Sequence, residues 1–206
     1  MGEWAWLALL CLLAAVLELD SASAGQFMIS RPIVLGGILG LLGGEPLAGF
    51  TLGAVIELFL LAELPVGAAL PMNGSVATAA AVLASLQPVQ LEPAWCLPLG
   101  LLAGRLYVPL DVQLRKYRST LAAALERRVS AGGEPGFGRA LAASLSAELG
   151  LVFVFLGLAV PAIKFLGGWW WEWRPLREGA TFAWKAAPAL ALVGAIQFMG
   201  PKGWQR

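Results

Sequence analysis

Glu57 is a carboxylate set among Leu52, Val55, Ile56, Leu58, Phe59, Leu60 and Leu61, with no neighbour in sequence to neutralise it. A charge at the centre of a bilayer costs at least about 2.5–3.5 kcal/mol, so it faces protein or a water-filled cavity. Two roles suit such a group: pairing with a basic residue such as Arg31, or accepting hydrogen bonds from ligand hydroxyls. The second role fits a sugar, which brings many donors and no charge. Asn73 offers an amide that both donates and accepts, which also fits a polyol; alternatively it caps a helix that starts near Gly74. Arg31 is stranded in similar surroundings, and Glu63, Arg105 and Glu148 less sharply so.

Much other chemistry is excluded. Histidine is absent, which removes Ser-His and Cys-His nucleophiles, histidine metal sites and a phosphohistidine on this chain. There is no GxxxxGK[ST] phosphate loop, and the glycines near residue 40 lack the strand–helix setting of a dinucleotide fingerprint. No second acidic group lies beside Glu57, as a glutamate-based intramembrane protease would need. The residues therefore point to binding rather than catalysis, with no catalytic residue, metal ligand or cofactor expected.

The elements that must position these groups are set by composition. Of 206 residues 59% are hydrophobic and 13% charged, and the mean hydropathy is +0.76. Soluble domains carry about 25% charged residues, so this chain lacks the polar material to coat a water-facing surface. Two cysteines, Cys11 and Cys96, each inside an apolar run, make no disulfide framework. A net charge of +1 without a basic face argues against nucleic acid. The fold class expected is all-α: a polytopic transmembrane helical protein with six or seven hydrophobic segments, some discontinuous or re-entrant.

Trp4 to Leu19 is the first run. The small residues Ser21-Ala22-Ser23-Ala24 resemble a leader cleavage site, but the basic n-region is missing and Glu3 stands there instead, which favours a retained membrane helix. Ile33 to Leu42 is too short to span; Gly43-Gly44-Glu45-Pro46 breaks it, Leu47 to Leu64 follows, and Pro65 and Pro71-Met72-Asn73-Gly74 interrupt again. Short, Gly/Pro-interrupted apolar segments mark the binding sites of transporters, where half-helix ends face a cavity. Gly36, Gly40 and Gly44 stand four apart, as do Gly49 and Gly53, which also suits ordinary close helix contact.

Ala94 to Leu110 is a further run. Val112 to Arg139 then carries six of the fourteen basic residues, which places this loop on the cytoplasmic side. Leu114, Tyr117, Leu121, Leu125 and Val129 recur at helical spacing, predicting an amphipathic helix lying along the interface and ended by Gly132-Gly133-Glu134-Pro135-Gly136. Leu141 to Leu166 and Gly179 to Gly200 complete the runs. Trp169-Trp170-Trp171-Glu172-Trp173 between them reads as an aromatic belt on the outer side, and the basic tail Pro201 to Arg206 as a return to the cytoplasm.

The stretch Ile29-Ser30-Arg31-Pro32-Ile33, the Gly-rich run to Gly44-Glu45, and Gly49-Phe50-Thr51-Leu52-Gly53-Ala54-Val55-Ile56-Glu57-Leu58 together resemble a known family. It is the IIC membrane component of the mannose/fructose/sorbose family of the bacterial phosphoenolpyruvate-dependent sugar phosphotransferase system. Pro65-Val66-Gly67-Ala68-Ala69 and Met72-Asn73 occupy the places of its Asn-Ile-Gly-Ala-Ala and Pro-Asp elements. The resemblance is specific over about residues 20 to 86 and looser, though in register, beyond.

The resemblance implies a permease subunit of the bacterial inner membrane that binds a hexose and moves it inward with a paired IID subunit. Soluble IIA/IIB proteins would carry the phosphate, and an oligomeric assembly of unstated size is expected. By position, Glu57 matches the family glutamate, Arg31 the Arg-Pro arginine, and Asn73 a family aspartate. Glu57, Asn73 and, more weakly, Gln26 would hold the sugar, while Arg31 and Pro32 brace the broken helix. Gly25 and Met28 stand where family members often carry Asp and Gln, for which Gln26 partly compensates. Residues 1–206 read as one membrane-embedded domain, shorter at its C-terminus than the family. That shortness leaves open a degenerate, non-transporting scaffold or regulatory subunit.

Overall fold

The computed structural model describes residues 2–61 except 22 and 24, residues 71–171 except 135, and residues 173–199. Glu63, the Pro65–Ala69 motif, Glu172 and the tail from Pro201 lie outside the described residues. Helix is the only regular structure among those described. Its elements are α1 (Glu3–Glu18, followed by a 3-10 turn Leu19–Ser21), α2 (Pro32–Gly43), α3 (Pro46–Leu60), α4 (Gly74–Ser85), α5 (Pro93–Ser130), α6 (Phe137–Trp171) and α7 (Arg174–Met199).

Local chemistry sets the boundaries. Pro32, Pro46 and Pro93 each open a helix, where a missing N–H costs nothing and the fixed φ is already helical. Gly44 closes α2 in the left-handed conformation at φ 83°, with Glu45 N–H bonding back to the Gly40 carbonyl. It is thus a helix cap with open space around it, unlike its fellows in the four-residue glycine series. The others do make close contact. A Cβ on Gly36 would fall 2.6 Å from the Gly49 carbonyl oxygen, and one on Gly40 would fall 2.8 Å from Gly49 Cα. Helices α2 and α3 therefore form a hairpin whose backbones touch, the arrangement that small residues permit in membranes.

At 12 and 15 residues, α2 and α3 reach only about 18 and 22 Å, short of a hydrocarbon core of about 30 Å. The expected discontinuity is present. Helix α4, also 12 residues, runs parallel to α2: Gly74 at its start lies against Pro32, and Leu86 just past its end lies against Gly43. Helix α5 returns antiparallel along α4, with Gly104 against Ala77 and Gly100 against Ala81. The buried core is centred on α4, where every residue from Ser75 to Ala84 is buried.

The long helices surround this unit. Helix α1 packs antiparallel to α6: Lys164 lies 5.2 Å from the Trp4 ring centroid, and at the other end Ser23 reaches Glu148. Glu3–Ser21, Phe137–Trp169 and Arg174–Ile196 are long and apolar enough to cross a membrane. Val154, Leu158 and Phe165 on α6 and Phe182, Leu190 and Ile196 on α7 are exposed, as side chains facing lipid would be. Trp169 and Trp173 are exposed at the α6–α7 turn.

One expectation is corrected. The basic segment does not form a separate helix. It continues the apolar run without a break as the second half of the 38-residue α5, through Asp111 and past the internal Pro98 and Pro109. Leu114 is buried, Leu121 and Leu125 half-buried beside Leu141 of α6, and Tyr117 and Val129 exposed. The polar half of α5 thus packs on the start of α6 as a helical hairpin.

Candidate functional site

Four chain segments meet at one place: the end of α1, the connection 21–31, the start of α2 with the end of α3, and the start of α4. Between them lies a cavity of about 520 Å³ lined by Asp20, Gln26, Arg31, Glu57 and Ser75 among others. That volume is in the usual range of small-molecule sites, about 300–1,000 Å³.

Glu57 is placed by the α2–α3 hairpin. Its Oε2 accepts the Ile33 backbone N–H at 3.0 Å, and its Oε1 accepts from Arg31 Nη1 at 3.2 Å. The first bond satisfies an orphan donor in the opening turn of α2 and sets a negative charge at the positive end of the helix. The Arg31 and Glu57 side chains are 48% and 21% exposed, so the pair is wetted from the cavity rather than sealed in. Glu57 therefore pairs with Arg31, as one of its two sequence readings has it, and it also lines the cavity, where each oxygen retains a lone pair.

Gln26 and Pro32 line the same cavity. Asn73 does not; its neighbours Gly74 and Ser75 do. The Asn73 amide is engaged at both ends: Oδ1 accepts from Val76 N–H at 2.9 Å, capping α4, and Nδ2 donates to Glu18 Oε1 at 2.8 Å. Thus the helix-capping role is the one its geometry displays.

Sequence reasoning overlooked Asp20. Its carboxylate accepts three backbone N–H groups, from Phe27 at 2.6 Å, Ile29 at 2.7 Å and Ser30 at 3.3 Å. These bonds curl the connection around one side chain, with Gly25, Gln26 and Met28 at positive φ (88°, 55° and 65°). Non-glycine residues adopt that conformation uncommonly and at a cost, which the three charge-assisted bonds offset. The arrangement holds Gln26 over the cavity. The Asp20 position carried a weak signal, an acidic residue just past an apolar run, but its partners are backbone groups of no distinctive sequence.

Glu148 was among the weaker candidates, and the structure gives it a partner far away in sequence. Arg118 of α5 bonds to it, as does Ser23. Among the described residues no group of three or more His, Cys, Asp or Glu side chains could hold a metal ion. Arg105 stands exposed on α5.

Broken helices whose ends converge on a polar cavity, inside a shell of lipid-facing helices, define a membrane protein of the transporter type. Residues 4–166 match the family model described as "PTS system sorbose-specific iic component". The chain belongs to that family, the IIC membrane components of the sugar phosphotransferase system. Its fold is shared with solved structures, of which two stand as examples. One is described only as a membrane protein, with a TM-score of 0.72 and 14% identity, covering 96% of this chain and 79% of that one. The other is the cryo-EM structure of the mannose transporter ManYZ in complex with microcin E492, with a TM-score of 0.63, the same identity and the same coverage. No curated protein matches the chain.

Proposed function

We propose that the chain is the sugar-binding and translocating subunit of a phosphoenolpyruvate-dependent system for a hexose of the mannose, fructose or sorbose type. The observation that carries the reading is Glu57: a carboxylate in a polar cavity between discontinuous helices, in a chain that belongs to the IIC family. An uncharged polyol suits the lining. Asp20 and Glu57 bring acceptors, Gln26 and the serine hydroxyls both donate and accept, and Arg31 offsets one negative charge. Gln26 and Glu57 contact the sugar directly. Asn73 serves the site from behind, as the cap of α4.

In this reading the chain works with a IID-type membrane partner in an oligomer of the bacterial inner membrane, the basic 112–139 region on the cytoplasmic side. Phosphate transfer belongs to soluble IIA/IIB proteins, so this subunit is not an enzyme. The test is phosphoenolpyruvate-dependent uptake of labelled mannose, fructose and sorbose into vesicles holding the chain with its IID and IIA/IIB partners. Uptake that requires the chain and is lost in Glu57→Gln supports the reading. Full uptake by Glu57→Gln removes Glu57 from the site, and no uptake of any sugar by a correctly inserted, partner-bound chain leaves a non-transporting scaffold.

A further inference from the structure

The connection 21–31 builds one wall of the cavity, supplying Ser21, Gln26 and Ser30. Past the 3-10 turn that ends at Ser21, its described residues form no helix. Asp20, on the 3-10 turn that continues α1, ties Phe27, Ile29 and Ser30 of the wall to the α1 end of the molecule. A second anchor, outside the cavity, joins the wall to α5 and α6 through Ser23.

Ser23 Oγ donates to Glu148 Oε2 and accepts from Arg118 Nη2 at 2.9 Å. Arg118 Nη2 also bonds Glu148 Oε2, and Arg118 Nε donates to Ser144 Oγ at 2.9 Å. The side chains of Arg118 and Glu148 are 26% and 7% exposed. Taking an ion pair this far out of water is expensive, and a packed apolar pair would join α5 to α6 at least as well. An apolar pair could not grip a serine hydroxyl. Here one hydroxyl joins the connection to both helices at once, through charge-assisted bonds that fix direction as well as distance.

We infer that Arg118, Glu148 and Ser23 form a latch that positions the cavity wall, making Arg118 and Glu148 positioning residues for substrate binding that touch no substrate themselves. This rests on the reading of the cavity as the sugar site. Releasing Ser23 frees the wall, with Gln26 on it, from α5 and α6, while the α5–α6 ion pair stays in place.

The test has two arms. Ser30, on the wall and only 9% exposed, is replaced by cysteine and labelled with a water-soluble maleimide; the native Cys11 and Cys96 are 2% and 0% exposed and stay silent. In this background Ser23→Ala, which removes both charge-assisted bonds of the hydroxyl, and Glu148→Gln, which takes the carboxylate charge out of one of them, are each expected to raise the labelling rate about tenfold or more. The exchanged pair Arg118→Glu/Glu148→Arg, which can still hold a hydroxyl, is expected to restore protection. With Ser30 intact, Ser23→Ala is expected to raise KM for sugar uptake about tenfold at an unchanged maximal rate, as lost uniform binding does. Unchanged labelling in Ser23→Ala overturns the latch, as does a fall in maximal rate at constant KM. Should Glu148→Gln fail to insert, Ser23→Ala decides, because it leaves the ion pair whole. Labelling needs no sugar: if the unaltered chain takes up none, the transport reading fails while the labelling arm still judges the latch.

Discussion

Asn73 and Glu18 lie 2.8 Å apart, the amide of one donating to the buried carboxylate of the other. The bond ties the start of α4 to the end of α1 behind the cavity. The amide is the form that suits this neighbour: a carboxyl group at 73 would cap α4 equally well but would set a second acidic group against Glu18 in place of the amide donor. Asn73→Asp is therefore expected to lower stability by about 1–3 kcal/mol, the cost of a buried acceptor left unsatisfied. Adding Glu18→Gln, which supplies the missing donor, is expected to recover most of that loss. Thermal unfolding of the two single variants and the double variant in detergent measures the cycle; additive losses would show that the two side chains do not interact.

The α2–α3 hairpin makes a contrast between two glycines. Gly49 meets the Gly36 carbonyl oxygen where a Cβ would sit, whereas Gly44 has open space and a left-handed backbone. Gly49→Ala is expected to push the helices apart at a cost of about 1–3 kcal/mol. Gly44→Ala is expected to cost about 1–2 kcal/mol through φ alone. Asparagine tells them apart, because it tolerates the left-handed region and not the overlap. Gly44→Asn should be milder than Gly44→Ala, and Gly49→Asn worse than Gly49→Ala, by thermal unfolding.

How far the fold was legible depends on what each residue's partner is. Proline at a helix start and glycine at a helix end are local effects, so the break between α2 and α3 at Gly44-Glu45-Pro46 could be read directly. Glu57 stood out because charge in apolar sequence is conspicuous whatever its partner, and Arg31 was named with it. Asp20 was not legible, since its three partners are backbone donors assembled by residues at positive φ, and two of those, Gln26 and Met28, are not glycine. The continuity of α5 was missed for a different reason. Hydropathy falls sharply at Asp111, but hydropathy reports surroundings, and a helix leaving an apolar environment needs no break in its backbone. Likewise, nothing near Arg118 in sequence pointed to Glu148 thirty residues on, because the pairing exists only once α5 and α6 fold back together.

Asp20 offers a prediction about the connection itself. Asp20→Ala removes the acceptor of three N–H groups at once, and the turn then lacks what offsets its positive φ angles. Phe27, already 77% exposed, is expected to become a rapid chymotrypsin site in the variant while the long helices resist. Asp20→Asn keeps one acceptor oxygen and should fall between. Cleavage at Phe27 that proceeds at the wild-type rate in Asp20→Ala would show that the connection is held by other contacts.

Arg31 separates bracing from binding. Its bond to Glu57 is wetted, and ion pairs of that kind contribute about 0–1 kcal/mol. Glu57 also keeps the Ile33 N–H when Arg31 is gone, so its carboxylate stays at the head of α2. Arg31→Ala is thus expected to leave the unfolding temperature nearly unchanged and to raise KM for uptake only a few-fold, through a more mobile Glu57. Arg31→Lys, which restores charge without the planar fork, should recover part of the affinity. Measured side by side with Glu57→Gln, these variants rank the two groups: if Arg31→Ala abolishes uptake as completely as Glu57→Gln, the guanidinium binds the sugar itself and is no brace.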